Sequence, residues 1–187
     1  MKQFILGTIL IFAGLTSCAQ PRANESFKKE FIETINRTRQ AGCKCGKTRM
    51  PAVAPITWND MLENAAMVHA KDMAKRNYFS HTGKDGRSSS DRIIAAGYTF
   101  KGFKSFAAGE NIAMGQLDIA EVMAGWFKSE GHCMNLMNPD FKEVGVARVS
   151  DHWVQDFGGR EAFSEEQQKL INSGKVKLIE KMVKGHE

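Results

Sequence analysis

Two histidines and two carboxylates stand in short polar phrases along the chain. His81 closes Phe79-Ser80-His81, Glu110 sits inside Gly109-Glu110-Asn111, and Glu130 and His132 lie at the end of the run from Trp126 to His132. Imidazole and carboxylate groups bind divalent metals and move protons near neutral pH. Apolar helical segments separate these phrases, so folding can gather them into one cleft. His81 and His132 would supply two nitrogens to zinc or another divalent metal, with Glu110 beside them and open positions for water. If such a cleft were catalytic, Glu110 would be the general base for a metal-held water. No His-Glu-x-x-His spacing and no Gly-x-Ser-x-Gly elbow occurs, so the familiar zinc-peptidase and serine-hydrolase signatures are missing. Ser80 beside His81 and Ser129 near His132 are candidate nucleophiles only on paper, since neither pair satisfies the geometric test for a serine hydrolase from sequence alone.

Cys43, Cys45 and Cys133 form a second group. A bridge from Cys43 or Cys45 to Cys133 would tie the loop after the first helix to the segment after His132, whereas Cys43 to Cys45 would close a very tight ring. Either way one thiol is left over. A zinc site from the three cysteines and His132 has suitable ligands but lacks the usual Cys-x-x-Cys spacing, so a structural disulfide is the expectation.

The elements that position these residues follow from apolar periodicity. Phe27, Phe31 and Ile35 recur every four residues and predict a helix from Ser26 to Arg39, ended by Gly42. Glycines, prolines and the Cys-x-Cys pair make residues 42–55 a loop. A second helix begins at Asn59 or Asp60 and runs to Asn77, burying Leu62, Ala65, Ala66, His69 and Met73. His69 on that apolar face reads as a hydrogen-bonded core histidine rather than a ligand. The turn-rich stretch after it leaves His81 at the rim of the fold. Ser90 should cap a short helix ending at Gly97, residues 109–113 form a brief strand, and Leu117 to Phe127 give a third long helix. Ser129 to His132 then reads as a helix-end loop. Val144, Val146 and Val149, followed by the alternating run from Trp153 to Phe157, predict an antiparallel hairpin. Ser164 to Gln167 resembles a capping box, Gly174 interrupts that helix, and residues 176–183 add another turn or two.

The chain opens with Lys2 and an uncharged apolar stretch from Phe4 to Leu15. That is short of the ~20 apolar residues a membrane span needs and reads as a cleaved secretory signal. Leu15-Thr16-Ser17-Cys18 looks like a bacterial lipobox, which implies lipid on Cys18 and a membrane as partner. Residues 1–17 are thus the signal, 18–26 a tether, 27–158 one domain and 159–187 a helical tail. Loss of the signal lowers the formal net charge from +5 to +4. No basic run interleaves with aromatics, so nucleic acid is not expected as a partner. A monomer is expected.

With those elements in place, the ordered series NRTR, ITWND, FSHTGKDG, AAGY, GENIA, WFKSEGH, VGVA and HWVQDFG, over residues 27–158, closely resembles the bacterial branch of the CAP superfamily, which includes cysteine-rich secretory, antigen-five and pathogenesis-related proteins. The resemblance implies an α+β fold, an α-β-α sandwich with a central antiparallel sheet, and a cleft of two histidines and two acids. His81, Glu110 and His132 match that set. The family's fourth acid falls three residues after the tryptophan, where this chain has Ser129. Glu130, one step later, either turns inward to replace it or faces solvent. The implied role is a lipid-anchored envelope protein whose cleft binds a divalent metal or a small ligand, with a lipid or cell-wall component as a further class of partner. The alternative is a metal-dependent hydrolase, most plausibly a peptidase, using the same cleft.

Overall fold

A computed structural model describes residues 25–176 and 178. The signal, Cys18, most of the tether and the expected helical turns at 176–183 lie largely or wholly outside the described residues. The first helix, α1 (Glu25–Ala41), buries Phe31, Ile35 and Arg39. It stops where Gly42 turns to φ +71, a conformation that glycine enters without strain. The expected loop of residues 42–55 contains a small hairpin instead, β1 (Cys43–Cys45) and β2 (Thr48–Met50), paired in antiparallel register. β3 (Thr57–Trp58) leads into α2 (Asp60–Arg76). The Asn59 side chain caps α2 by accepting from the amides of Met61 and Leu62.

The short helix α3 (Ser89–Ala95) is capped by Ser88 rather than Ser90. Asp91 then occupies the third helical position, and its carboxylate accepts from the Ser88 backbone N–H, completing a capping box. The brief strand expected at 109–113 is ten residues long, β4 (Ser105–Met114). α4 (Ile119–Lys128) is followed at once by α5 (Glu130–Leu136), because Ser129 alone adopts an extended conformation between them. Ser129 to His132 is therefore the opening of a new helix and not a loop. β5 (Glu143–Val149) and β6 (His152–Glu161) form the expected antiparallel hairpin. β6 itself crosses the boundary expected at residue 158. α6 (Glu165–Asn172) has the predicted Ser164–Gln167 box and buries no residue.

The main sheet has the order β3-β5-β6-β4. β4, β6 and β5 are antiparallel, and β3 adds a two-residue parallel edge to β5. Strand residues alternate between faces, and the core divides accordingly. Phe31, Ile35, Trp126, Met123 and Leu136 pack with Val144, Val146, Trp153 and Phe157 on one face. On the other, Ala66, Ala70 and Met73 of α2 pack with Ile112, Ala147 and Val154, and Leu62 and Ala65 pack with Ile93 of α3 and Tyr98. The architecture is the α-β-α sandwich of the α+β class, with α1, α4 and α5 on one side and α2 and α3 on the other.

Candidate functional site at the open edge of the sheet

β4 is an edge strand, and its alternation decides where the site forms. Glu110 points toward α2 and α3, while Asn111 points toward α5. The segment after α2 brings His81 to this edge from one layer, and α5 brings His132 from the other. Nδ1 of His81 lies 2.7 Å from Oε1 of Glu110. The His81 side chain is 51% exposed and that of Glu110 only 1%, so the ring stands at the rim above a buried carboxylate.

Arg92, which the sequence reading did not single out, organises this corner. Its Nη2 donates to Oε2 of Glu110 at 2.6 Å, and its Nη1 donates to the carbonyls of His81 at 2.9 Å and Arg87 at 3.0 Å. Both Glu110 oxygens are thus engaged, one by each neighbour. Glu110 therefore serves as the orienting partner of His81 rather than as an open ligand or an unoccupied base. Asp156 lies opposite Glu110 across the β4–β6 ladder and is wholly buried. Burial first, and then the Glu110 charge, push its carboxyl well above the usual range. Neither Asp156 oxygen meets an N–H or O–H donor. With a proton of its own, Asp156 instead donates to Glu110, and a neutral Asp156 limits the charge sealed in the core.

His69 is the core histidine expected. Its Nε2 donates to the carbonyl of Ser80 at 2.8 Å, directly before His81. Burial holds its pKa below the ordinary value against the opposing pull of Glu110, so the ring is neutral. Burial, and then the nearby His81, likewise hold His132 below its usual range. A neutral imidazole keeps the lone pair that a metal requires.

A second network carries α5 to the strand. Asn111 donates to the carbonyl of His132 at 3.2 Å and to Gln155 at 3.0 Å, while Asn135 donates to Asn111 at 2.9 Å and to the edge carbonyl of Glu110 at 3.2 Å. From α1, Arg39 donates to the carbonyls of Ala54, Leu136, Asn138 and Phe141 and pins the far end of α5. Arg39 and Asn111 fall within the NRTR and GENIA phrases, and Asn135 stands between Met134 and Leu136.

Glu130 is set apart from this group. It is exposed and lies over the β1–β2 turn, where a Cβ on Gly46 would come within 2.5 Å of its carboxylate. The start of α5 at Glu130 explains this placement, since the residue opens a new helix instead of continuing the face of Trp126. Among the described residues, the cluster of three or more ligand side chains whose ligand atoms all approach within 4.8 Å is Cys43, Cys45 and Cys133, a group that could hold a metal ion. In the structure Cys45 is bridged to Cys133, with Cα atoms 5.4 Å apart, and Cys43 keeps its thiol. His132 is not part of that cluster.

Residues 32–157 match the profile described as the cysteine-rich secretory protein family, CAP. Among curated proteins, the chain is 31% identical over 147 residues to the uncharacterized protein YkwD of Bacillus subtilis, covering 78% of this chain and 52% of that one. It is 34% identical over 105 residues to the uncharacterized membrane protein YlbC of the same organism, covering 56% of this chain and 29% of that one. The chain thus spans about half, or less, of the length of these relatives. An extracellular Bacillus anthracis protein containing an SCP domain superposes with a TM-score of 0.58 at 28% identity, covering 71% of this chain and 40% of that one. An outer surface protein of Borrelia burgdorferi has the same fold, with a TM-score of 0.59 at 22% identity, covering 73% and 95% of the two chains.

Proposed function

The chain belongs to the cysteine-rich secretory protein (CAP) family, and from that membership we propose that it is a binding protein of the bacterial cell envelope, lipid-anchored through Cys18, whose cleft takes a divalent cation between His81 and His132. The single observation that carries the cation reading is the 2.7 Å pair between His81 Nδ1 and Glu110 Oε1. A carboxylate on one ring nitrogen fixes the tautomer and directs the opposite nitrogen, Nε2, toward an incoming metal, while raising its basicity. The His132 imidazole, kept neutral by burial and by His81, is the second donor. Two nitrogens and open positions make a weak site suited to zinc or a similar ion, which would also polarise a bound small ligand. Glu110 and Arg92 act behind it, holding His81. The extracellular Bacillus anthracis relative supports the envelope location. A small ligand, lipid or cell-wall component would enter from the exposed side of His81.

Binding is preferred over hydrolysis because Glu110, the base that a hydrolase would need, already has both oxygens occupied by His81 and Arg92. Calorimetric titration of the disulfide-intact Cys43→Ser protein with zinc tests the reading without interference from the thiol. Adding His81→Ala and His132→Ala should weaken binding at least tenfold, and Glu110→Gln by about 10–100-fold. Equal affinity in the double-alanine protein would sink the metal site.

A further inference from the structure

Cys43 Sγ lies 3.7 Å from Cys133 Sγ and 3.8 Å from Cys45 Sγ, so a thiol touches both sulfurs of an intact disulfide. The placement follows from the strand. Residues i and i+2 share a face, so Cys-Lys-Cys in β1 presents both cysteines to Cys133 on α5. The hairpin that carries them is a two-stranded sheet of its own, separate from the main one, and Met137, Val53 and Phe127 surround the sulfurs.

We propose that Cys43, Cys45 and Cys133 form a thiol–disulfide exchange site in which Cys43 and Cys45 compete for Cys133. In the exchange, the Cys43 thiol gives its proton to solvent and its sulfur attacks Sγ of Cys133. The Cys45–Cys133 bond breaks, a Cys43–Cys133 bond forms, and Cys45 leaves as a thiolate that takes up a proton. One S–S bond replaces another with no net oxidation, so neither oxidant nor reductant is consumed. Near-equal distances place the Cys43 sulfur abreast of the bond rather than on its axis. A rotation of the Cys43 side chain between the χ1 wells common in strands precedes the attack.

The two pairings differ in what they present to the outside. Cys45 is fully buried and Cys43 half-buried. The Cys45–Cys133 form offers a half-buried thiol that small disulfides and alkylating agents reach directly, and the Cys43–Cys133 form leaves the deeper Cys45 thiol, which they reach more slowly. Burial raises the pKa of the Cys43 thiol, so little thiolate is present at neutral pH and exchange speeds up toward alkaline pH.

Lys44 separates the two cysteines, so trypsin delivers them in different peptides, 40–44 and 45–47. Purified protein is held with iodoacetamide at pH 6 or pH 9, digested without reduction and mapped by mass spectrometry. At pH 9 the expected products are label on both Cys43 and Cys45 and a Cys43–Cys133 cross-linked peptide, all at rates independent of protein concentration. Cys43→Ser should abolish the label on Cys45. Label confined to Cys43 at both pH values, or a rate that rises with protein concentration, would overturn the proposal. Cys45→Ser gives a second reading: it should form the Cys43–Cys133 bridge during oxidative refolding, and two titratable thiols would count against exchange.

Discussion

Arg92 Nη2 donates to Glu110 Oε2 at 2.6 Å, with both side chains almost completely removed from solvent. A buried pair of this kind is worth little against an apolar substitute, but breaking it from one side strands the remaining charge. Here the stranded group would be Glu110, already next to the buried Asp156. Arg92→Met should therefore lower unfolding stability by about 3–5 kcal/mol in urea titrations. Arg92→Lys should recover only part of that loss. One ammonium does not reproduce the planar fork that reaches Glu110, the His81 carbonyl and the Arg87 carbonyl together.

Asp156 gives this corner a pH dependence of unusual sign. Its folded pKa lies above its unfolded value, near 3.9. Its contribution to stability is complete below the unfolded pKa and is lost as pH rises through the folded pKa. Asp156→Asn keeps a donor toward Glu110 at every pH. The variant should match the wild type near pH 4 and then gain on it by about 1.4 kcal/mol per pH unit until the folded pKa is passed. Denaturation midpoints at a series of pH values measure the difference, and a constant offset would contradict a protonated Asp156.

Much of this arrangement was legible from local pattern. Four-residue spacing foretold that Phe31 and Ile35 are buried in α1, and that Leu62, Ala65, Ala66, His69 and Met73 form the inner face of α2. The hairpin of β5 and β6 followed from alternation, and the partner of Cys133 was narrowed to two. What escaped depends on contacts distant in sequence. Arg92 stands between Asp91 and Ile93 in a short helix, and only the approach of β4 turns it into a buried anchor. The beginning of β4 hides in Ser-Phe-Ala-Ala-Gly, whose small residues carry no alternation, and β6 supplies the pairing. Glu130 was undecided because a break confined to Ser129 redirects everything after it.

Gly145 shows a similar long-range demand. It lies between Val144 and Val146 on β5, and a Cβ there would fall inside the backbone of Leu62 and Glu63 at the start of α2. The cost of a side chain is one of packing, because the clash is with main-chain atoms that α2 and its Asn59 cap hold in place. Gly145→Ala should destabilise by about 3 kcal/mol, the upper end for overpacking in a filled core. A loss in unfolding free energy, from urea titration, of less than a third of that would mean α2 can slide.

His69 couples the core to the rim through its 2.8 Å bond to the Ser80 carbonyl. Its folded pKa is depressed mainly by burial, so its contribution is present above the unfolded value, near 6.5, and is lost as pH falls through the window down to the folded pKa. His69→Gln retains an amide donor where Nε2 stands and does not titrate. The wild type should lose about 1.4 kcal/mol per pH unit relative to this variant within that window. His69→Phe fills the space but removes the donor, leaving the Ser80 carbonyl without it one residue before His81. Zinc affinity separates the two variants. Glutamine should preserve it, and phenylalanine should reduce it severalfold even at pH values where both proteins are fully folded, because the bond sets the position of His81 and not only the stability of α2.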